Sequence, residues 1–133
     1  MPTMTAAQRR AADKQAYDAF MAACPSRLLL DRLSDKWVTL TLVALRQGPQ
    51  RYSQLARTIA GVSQKMLTQT LRTLERDGLV TRTVVATVPV TVTYELTDLG
   101  RSLQDVLELV KGWAEANMDR VLAARGMYDE AVP

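Results

Sequence analysis

The sequence predicts a mainly helical α+β fold. Two short capped helical segments meet at Gly61-Val62, two β-branched strands follow them directly, and apolar helical stretches flank this unit on both sides. Together these features describe a winged helix-turn-helix with additional N- and C-terminal helices.

In chain order, Thr5 to about Ala23 is alanine-rich and helix-permissive, with Tyr17, Phe20 and Met21 as its largest apolar groups. Cys24-Pro25 interrupts it, and a second short helix over Ser26 to Leu33 carries Leu28, Leu29, Leu30 and Leu33. The next helix spans about Asp35 to Gln47. Trp37, Val38, Leu40, Leu42, Val43 and Leu45 lie nearly all round it, which predicts a central core helix. Gly48-Pro49 ends it, and Arg51-Tyr52 can supply a short strand.

Ser53 then reads as the N-cap of a helix to Ala60, with Leu55 and Ile59 on one face. After the Gly61-Val62 turn, Ser63 caps a helix running to about Asp77, where Gly78 stops it. Met66, Leu67, Thr70, Leu71 and Leu74 form the stripe to be buried. Gln64, Lys65, Thr68, Gln69, Arg72 and Arg76 are left on the other side. Glutamine can make two hydrogen bonds to adenine, and lysine and arginine reach guanine or phosphate; threonine offers a hydroxyl and a methyl group. The same face also suits an ordinary solvated helix.

Leu79 to Ala86 and Val90 to Leu96 are β-branched and largely alternating, and Pro89 lies between them, so they read as a hairpin. A hairpin after the second helix is a wing, with its tip near Thr87 to Val90 and Arg82 as its positive charge; it can instead simply cover the core. The expected DNA-contacting set is therefore Ser53, Ser63, Gln64, Lys65, Thr68, Gln69, Arg72, Arg76 and Arg82. Thr97 is the N-cap of a long final helix to about Ala124. Leu99, Leu103, Val106, Val110 and Trp113 make one stripe on it, and Leu107, Ala114, Met118 and Val121 a neighbouring one. So wide an apolar surface either packs on its own core or pairs with a second subunit. The second reading assigns Phe20, Leu103, Val106, Val110 and Trp113 to a homodimer interface.

Charge falls where this reading needs it. The chain carries a net charge of +3, but from Arg46 to Arg82 seven basic residues face two acids, a local excess of five positive charges. From Asp98 onward four basic residues meet seven acidic ones. A positive helix-turn-helix is the footprint of a protein that displaces counterions from a phosphate backbone. At 133 residues and 47% hydrophobic composition the chain suits one compact domain, divided into an N-terminal dimerisation helix (1–23), the winged helix (24–97) and a C-terminal dimerisation helix with tail (98–133). There is no apolar run long enough for a membrane span and no signal-peptide pattern, so a cytoplasmic location is expected. The single cysteine cannot form an internal disulfide.

Catalysis finds little support. Histidine is absent, which removes the usual general base and the commonest metal ligand. No glycine-rich phosphate loop, carboxylate pair or metal-spaced cysteine cluster is present, and no cofactor is expected.

Several segments taken together carry a resemblance to a known family. These are Cys24-Pro25, Leu33-Ser34-Asp35-Lys36-Trp37, Gly48 to Leu55, Ile59 to Leu71, Leu74 to Val80, and Tyr94 to Gly100. Over about Cys24 to Trp113 the chain resembles the HxlR-type bacterial transcription regulators. The resemblance implies a dimeric winged-helix repressor or activator of double-stranded DNA, its dimer built by the terminal helices. Members often carry a Pro-Pro-Arg-Val-type wing; this chain has Val88-Pro89-Val90-Thr91-Val92, with no arginine at the tip.

Cys24 sits immediately before Pro25 at a helix start, where a helix N-terminus stabilises a thiolate. Some regulators of the resembled type sense oxidants, quinones or aldehydes through a cysteine at this point. The other reading of Cys24 is a small buried hydrophobe. Two rival functions stay open: a regulator gated by a small apolar ligand among Trp37, Phe20 and Trp113 with Cys24 inert, and a winged-helix module that binds protein and not DNA.

Overall fold

The computed structural model describes residues 3–132. Its elements are α1 (Ala6–Ala23), α2 (Pro25–Leu33), α3 (Lys36–Ala44) continued by a 3-10 turn over Leu45–Gln47, β1 (Gln50–Arg51), α4 (Tyr52–Thr58), α5 (Gln64–Arg76), β2 (Val80–Val85), β3 (Thr91–Leu96) and α6 (Asp98–Ala131). The chain divides into two compact units, one ending at Lys36 and the other beginning at Trp37. That boundary differs from the sequence-based one, because α2 packs on α1 in the first unit while α6 packs on β3 in the second.

In the first unit, Thr5 opens α1 through a reciprocal capping box. The Thr5 hydroxyl accepts from the Gln8 N–H (3.1 Å), and the Gln8 side chain accepts from the Thr5 N–H (2.9 Å). Cys24 ends α1 and starts α2: its N–H donates to the Met21 carbonyl (3.2 Å) and its carbonyl accepts from the Leu28 N–H (3.0 Å). Pro25 follows at the first helical position, where its missing N–H costs nothing. No residue of α1 or α2 is buried.

The second unit is held by an apolar core drawn from Val38, Leu42, Leu45, Leu55, Leu67, Leu71, Leu74, Val80, Leu96 and Leu107. Burying one such leucine is worth roughly 1.5–3 kcal/mol, so the leucines of α5 alone anchor that helix firmly. α3 is less enclosed than its composition predicts. Val38, Thr41 and Leu42 are buried, but Leu40 and Val43 are exposed, since the unit covers only one side of the helix.

The N-cap of α4 lies two residues earlier than predicted. Arg51, not Ser53, is its N-cap, because the Gln54 side chain accepts the Arg51 N–H (2.8 Å) and fixes the first turn there. Ser53 lies exposed within that turn. Tyr52 consequently belongs to the helix, and the short strand is Gln50–Arg51. The helix ends at Thr58; Ile59 is extended and buried, and Gly61 takes a positive φ of 81° to turn the chain toward α5.

The sheet order is β1-β3-β2, antiparallel throughout. β2 and β3 pair from Val80↔Leu96 to Val85↔Thr91, while β1 sets Gln50 opposite Tyr94 and Arg51 opposite Thr93. In β2 only Val80 is buried, so the hairpin projects from the core instead of covering it.

Thr97 caps α6 as predicted. Its hydroxyl accepts from the Gly100 N–H (3.0 Å) and donates to the Gly78 carbonyl (2.7 Å), while its own N–H donates to the Leu79 carbonyl (3.0 Å). α6 passes through Gly126 to Ala131, beyond the predicted end near Ala124, since one glycine costs a helix only about 1 kcal/mol and helix-compatible residues follow it. Its inward row is Gly100, Gln104 and Leu107, continued by half-buried Ala114, Met118 and Val121.

Candidate nucleic-acid interface

α5 is built to be held from behind and exposed in front. Ser63 accepts the Met66 N–H (3.1 Å) at its start, and Gly78, at φ 74°, reverses the chain at its end. Leu67, Thr70, Leu71 and Leu74 are buried, while Gln64, Lys65, Gln69, Arg72 and Arg76 are exposed on the outer side. Two amides and three cations on one rigid face can read base edges and neutralise phosphates together.

Thr68 departs from this set. It is half-buried, and its hydroxyl lies 3.2 Å from that of Tyr52, which also donates to the Gln64 carbonyl (3.0 Å). Tyr52 went unmarked in the sequence because an aromatic beside a short strand reads as packing. Its hydroxyl acts twelve residues along the chain, beyond any local pattern.

Between α5 and the sheet runs a groove of about 490 Å³ lined by Tyr52, Gln64, Thr68, Arg72, Glu75 and Arg82 among others. It brings Arg72 of α5 together with Arg82 of the wing. Glu75, absent from the sequence-derived set, places a negative charge beside them. Ser53 lines a second groove, of about 350 Å³, with Arg51, Tyr52 and the wing residues Pro89 to Val92. The wing tip closes on itself: the Thr87 N–H donates to the Val85 carbonyl (2.8 Å), and the Thr87 hydroxyl donates to the Pro89 carbonyl (2.7 Å). Val88 and Val90 are left exposed on it.

In the first stripe of α6 Val106, Val110 and Trp113 are exposed and Leu103 is half-buried; in the second Leu107 is buried and Ala114, Met118 and Val121 are half-buried; Phe20 on α1 is exposed as well. The half-buried Cys24 makes no capping hydrogen bond, yet its thiol pKa is held below the ordinary value, chiefly by the backbone N–H of Arg27 and then that of Ser26 at the start of α2, against a smaller opposing effect of desolvation. Among the described residues no cluster of acidic or cysteine side chains could hold a metal ion, and no helix is long and apolar enough to cross a membrane.

Residues 32–122 match the HxlR-like helix-turn-helix family. The chain belongs to the HxlR family. It is accordingly a DNA-binding helix-turn-helix transcription regulator. It is 44% identical over 106 residues to the uncharacterized HTH-type transcriptional regulator YtfH of Escherichia coli, covering 80% of this chain and 84% of that one. The structure of YtfH from Salmonella typhimurium superposes with a TM-score of 0.71 at 44% identity, over 79% of this chain and 94% of its own. The redox regulator HypR in its reduced form gives a TM-score of 0.71 at 35% identity, over 75% and 99% of the two chains.

Proposed function

We propose that this HxlR regulator binds duplex DNA as a homodimer, inserting the outer face of α5 into the major groove and laying the wing along the flanking backbone. The observation that carries this is the exposed row Gln64, Lys65, Gln69, Arg72 and Arg76 on a helix whose opposite face is fully buried. In this reading Gln64 and Gln69 read bases, while Lys65, Arg72, Arg76 and Arg82 meet phosphates. Two copies, joined through the exposed apolar row of α6 and Phe20, would present two α5 helices to a palindromic site. The protein would work in the cytoplasm, where its DNA is.

Gel shifts against duplexes enriched from a random pool test the reading. Gln64→Ala or Gln69→Ala is expected to relax base preference by about 1–3 kcal/mol per lost contact. Lys65→Ala or Arg72→Ala should weaken all sequences alike and flatten the salt dependence. Four variants that all bind as the parent does would move the interface elsewhere, and a parent that binds no DNA would favour a protein-interaction module.

The lowered Cys24 pKa, with likeness to a redox regulator, supports a thiol signal for this dimer. Two Cys24 thiolates, one per protomer, would lose two electrons to an oxidant such as diamide and form one disulfide, altering the spacing of the α5 helices; a quinone or aldehyde would instead add to the sulfur. Because the thiolate forms at lower pH than in an ordinary cysteine, the rate of alkylation of Cys24 by iodoacetamide should rise and level off at lower pH than that of a free cysteine. Diamide should change DNA affinity in the parent and leave Cys24→Ser unaffected. Oxidant-blind binding in the parent would favour a non-covalent ligand as the signal.

A further inference from the structure

Tyr52 stands where the helix-turn-helix meets the wing. It lines both grooves: one beside α5 runs toward Arg72 and Arg82, the other, between the start of α4 and the wing, toward Pro89 to Val92. Its backbone is anchored from the sheet, since Arg51 pairs with Thr93 of β3 and donates its N–H to Gln54 to start α4. Its hydroxyl reaches the first turn of α5, donating to the Gln64 carbonyl at 3.0 Å. With that proton committed, the 3.2 Å contact to Thr68 is a hydrogen bond donated by the threonine. A continuous path thus runs from the wing strand through Arg51 and Tyr52 to the backbone of Gln64.

We propose that Tyr52 is a positioning residue for DNA readout: its hydroxyl fixes the first turn of α5 against the wing, and Thr68 serves this bond and not a base. The inference rests on the assignment of α5 as the DNA-reading helix. A glutamine satisfies adenine only when both its donor and its acceptor fall within hydrogen-bonding range, so a small drift of Gln64 forfeits the pair. Lysine and arginine reach phosphates through long flexible stems and tolerate the same drift. Loss of the hydroxyl should therefore reduce discrimination between sequences and spare general affinity.

The test compares binding to a duplex enriched from a random pool by the parent protein with binding to a scrambled duplex of equal length. Tyr52→Phe keeps the ring, and Thr68→Val removes the second hydroxyl at equal size. Each is expected to lower the ratio of the two affinities about three- to tenfold while affinity for the scrambled duplex stays constant, as suits one net hydrogen bond. The double variant should be no worse than Tyr52→Phe alone, because Thr68 acts only through the Tyr52 hydroxyl. Thr68→Ser, which keeps the hydroxyl, should retain the parent ratio. An unchanged ratio in Tyr52→Phe, or an equal fall on both duplexes, overturns the proposal. So does a loss confined to Thr68→Val, which would make Thr68 a direct base contact. If the parent enriches no sequence at all, the DNA assignment fails first and this inference falls with it.

Discussion

Gly100→Ala is expected to destabilise the protein by about 3 kcal/mol, the upper end of the usual cost of overpacking. A methyl group at Gly100 would be driven into the Leu79 carbonyl, its oxygen lying far inside van der Waals contact and its carbon at 3.1 Å, with Leu96 Cδ2 at 3.2 Å. The obstacle is backbone, and that carbonyl already accepts the Thr97 N–H, so neither partner can step aside without opening the cap of α6. Thermal unfolding should show a drop on the order of 10 °C. Gly126→Ala is the control of opposite sign. A methyl there meets nothing within 4 Å, and alanine should stabilise the helix by about 0.4–1 kcal/mol. A Gly100→Ala protein within 1 kcal/mol of the parent would mean that the first turn of α6 does not sit on Leu79 in solution.

Val110→Asp is expected to separate the proposed dimer. Val110 is 60% exposed in the chain, so in a monomer the change should move stability by no more than about 0.5 kcal/mol. Across a two-fold interface it would bury two unpaired carboxylates. At several kcal/mol of desolvation, that should weaken association at least about a hundredfold, with DNA affinity falling alongside. Sedimentation across a concentration series reads the first effect and gel shift the second. A variant that still sediments as a dimer would exclude this row of α6 from the interface, and a parent that is monomeric at micromolar concentration would remove the dimer itself.

Much of this was legible in the sequence because the signals are local. Ser63 and Gly78 bracket α5, Thr97 opens α6, and the β-branched runs mark the hairpin; each acts within a few residues, where pattern and physics coincide. The exposed side of α5 was equally plain, since its four buried residues follow one helical stripe. Three features were not legible in this way. Ser53 looked like a cap, but Gln54 closes the turn on Arg51, and choosing between caps two residues apart depends on the strand pairing of Arg51. Thr68 looked free until Tyr52 arrived from another helix. The two apolar stripes of α6 are comparable by composition, and only contact with Leu79 decides which faces inward. Gly100 was the available clue, because a glycine in a first turn often marks where another backbone approaches.

An 18-residue α1 without one buried side chain has a thermodynamic consequence. In proteins most helical stability comes from tertiary packing of one face and not from propensity. What α1 keeps beyond its intrinsic propensity comes from its packing on α2 and, in the proposed dimer, from surface that the second copy would cover. In the proposed dimer the helical content of the protein would obey mass action, rising with concentration and falling first on dilution. Folding of the amino terminus and assembly of the proposed dimer would then be one equilibrium, and Cys24 caps the end of the helix concerned.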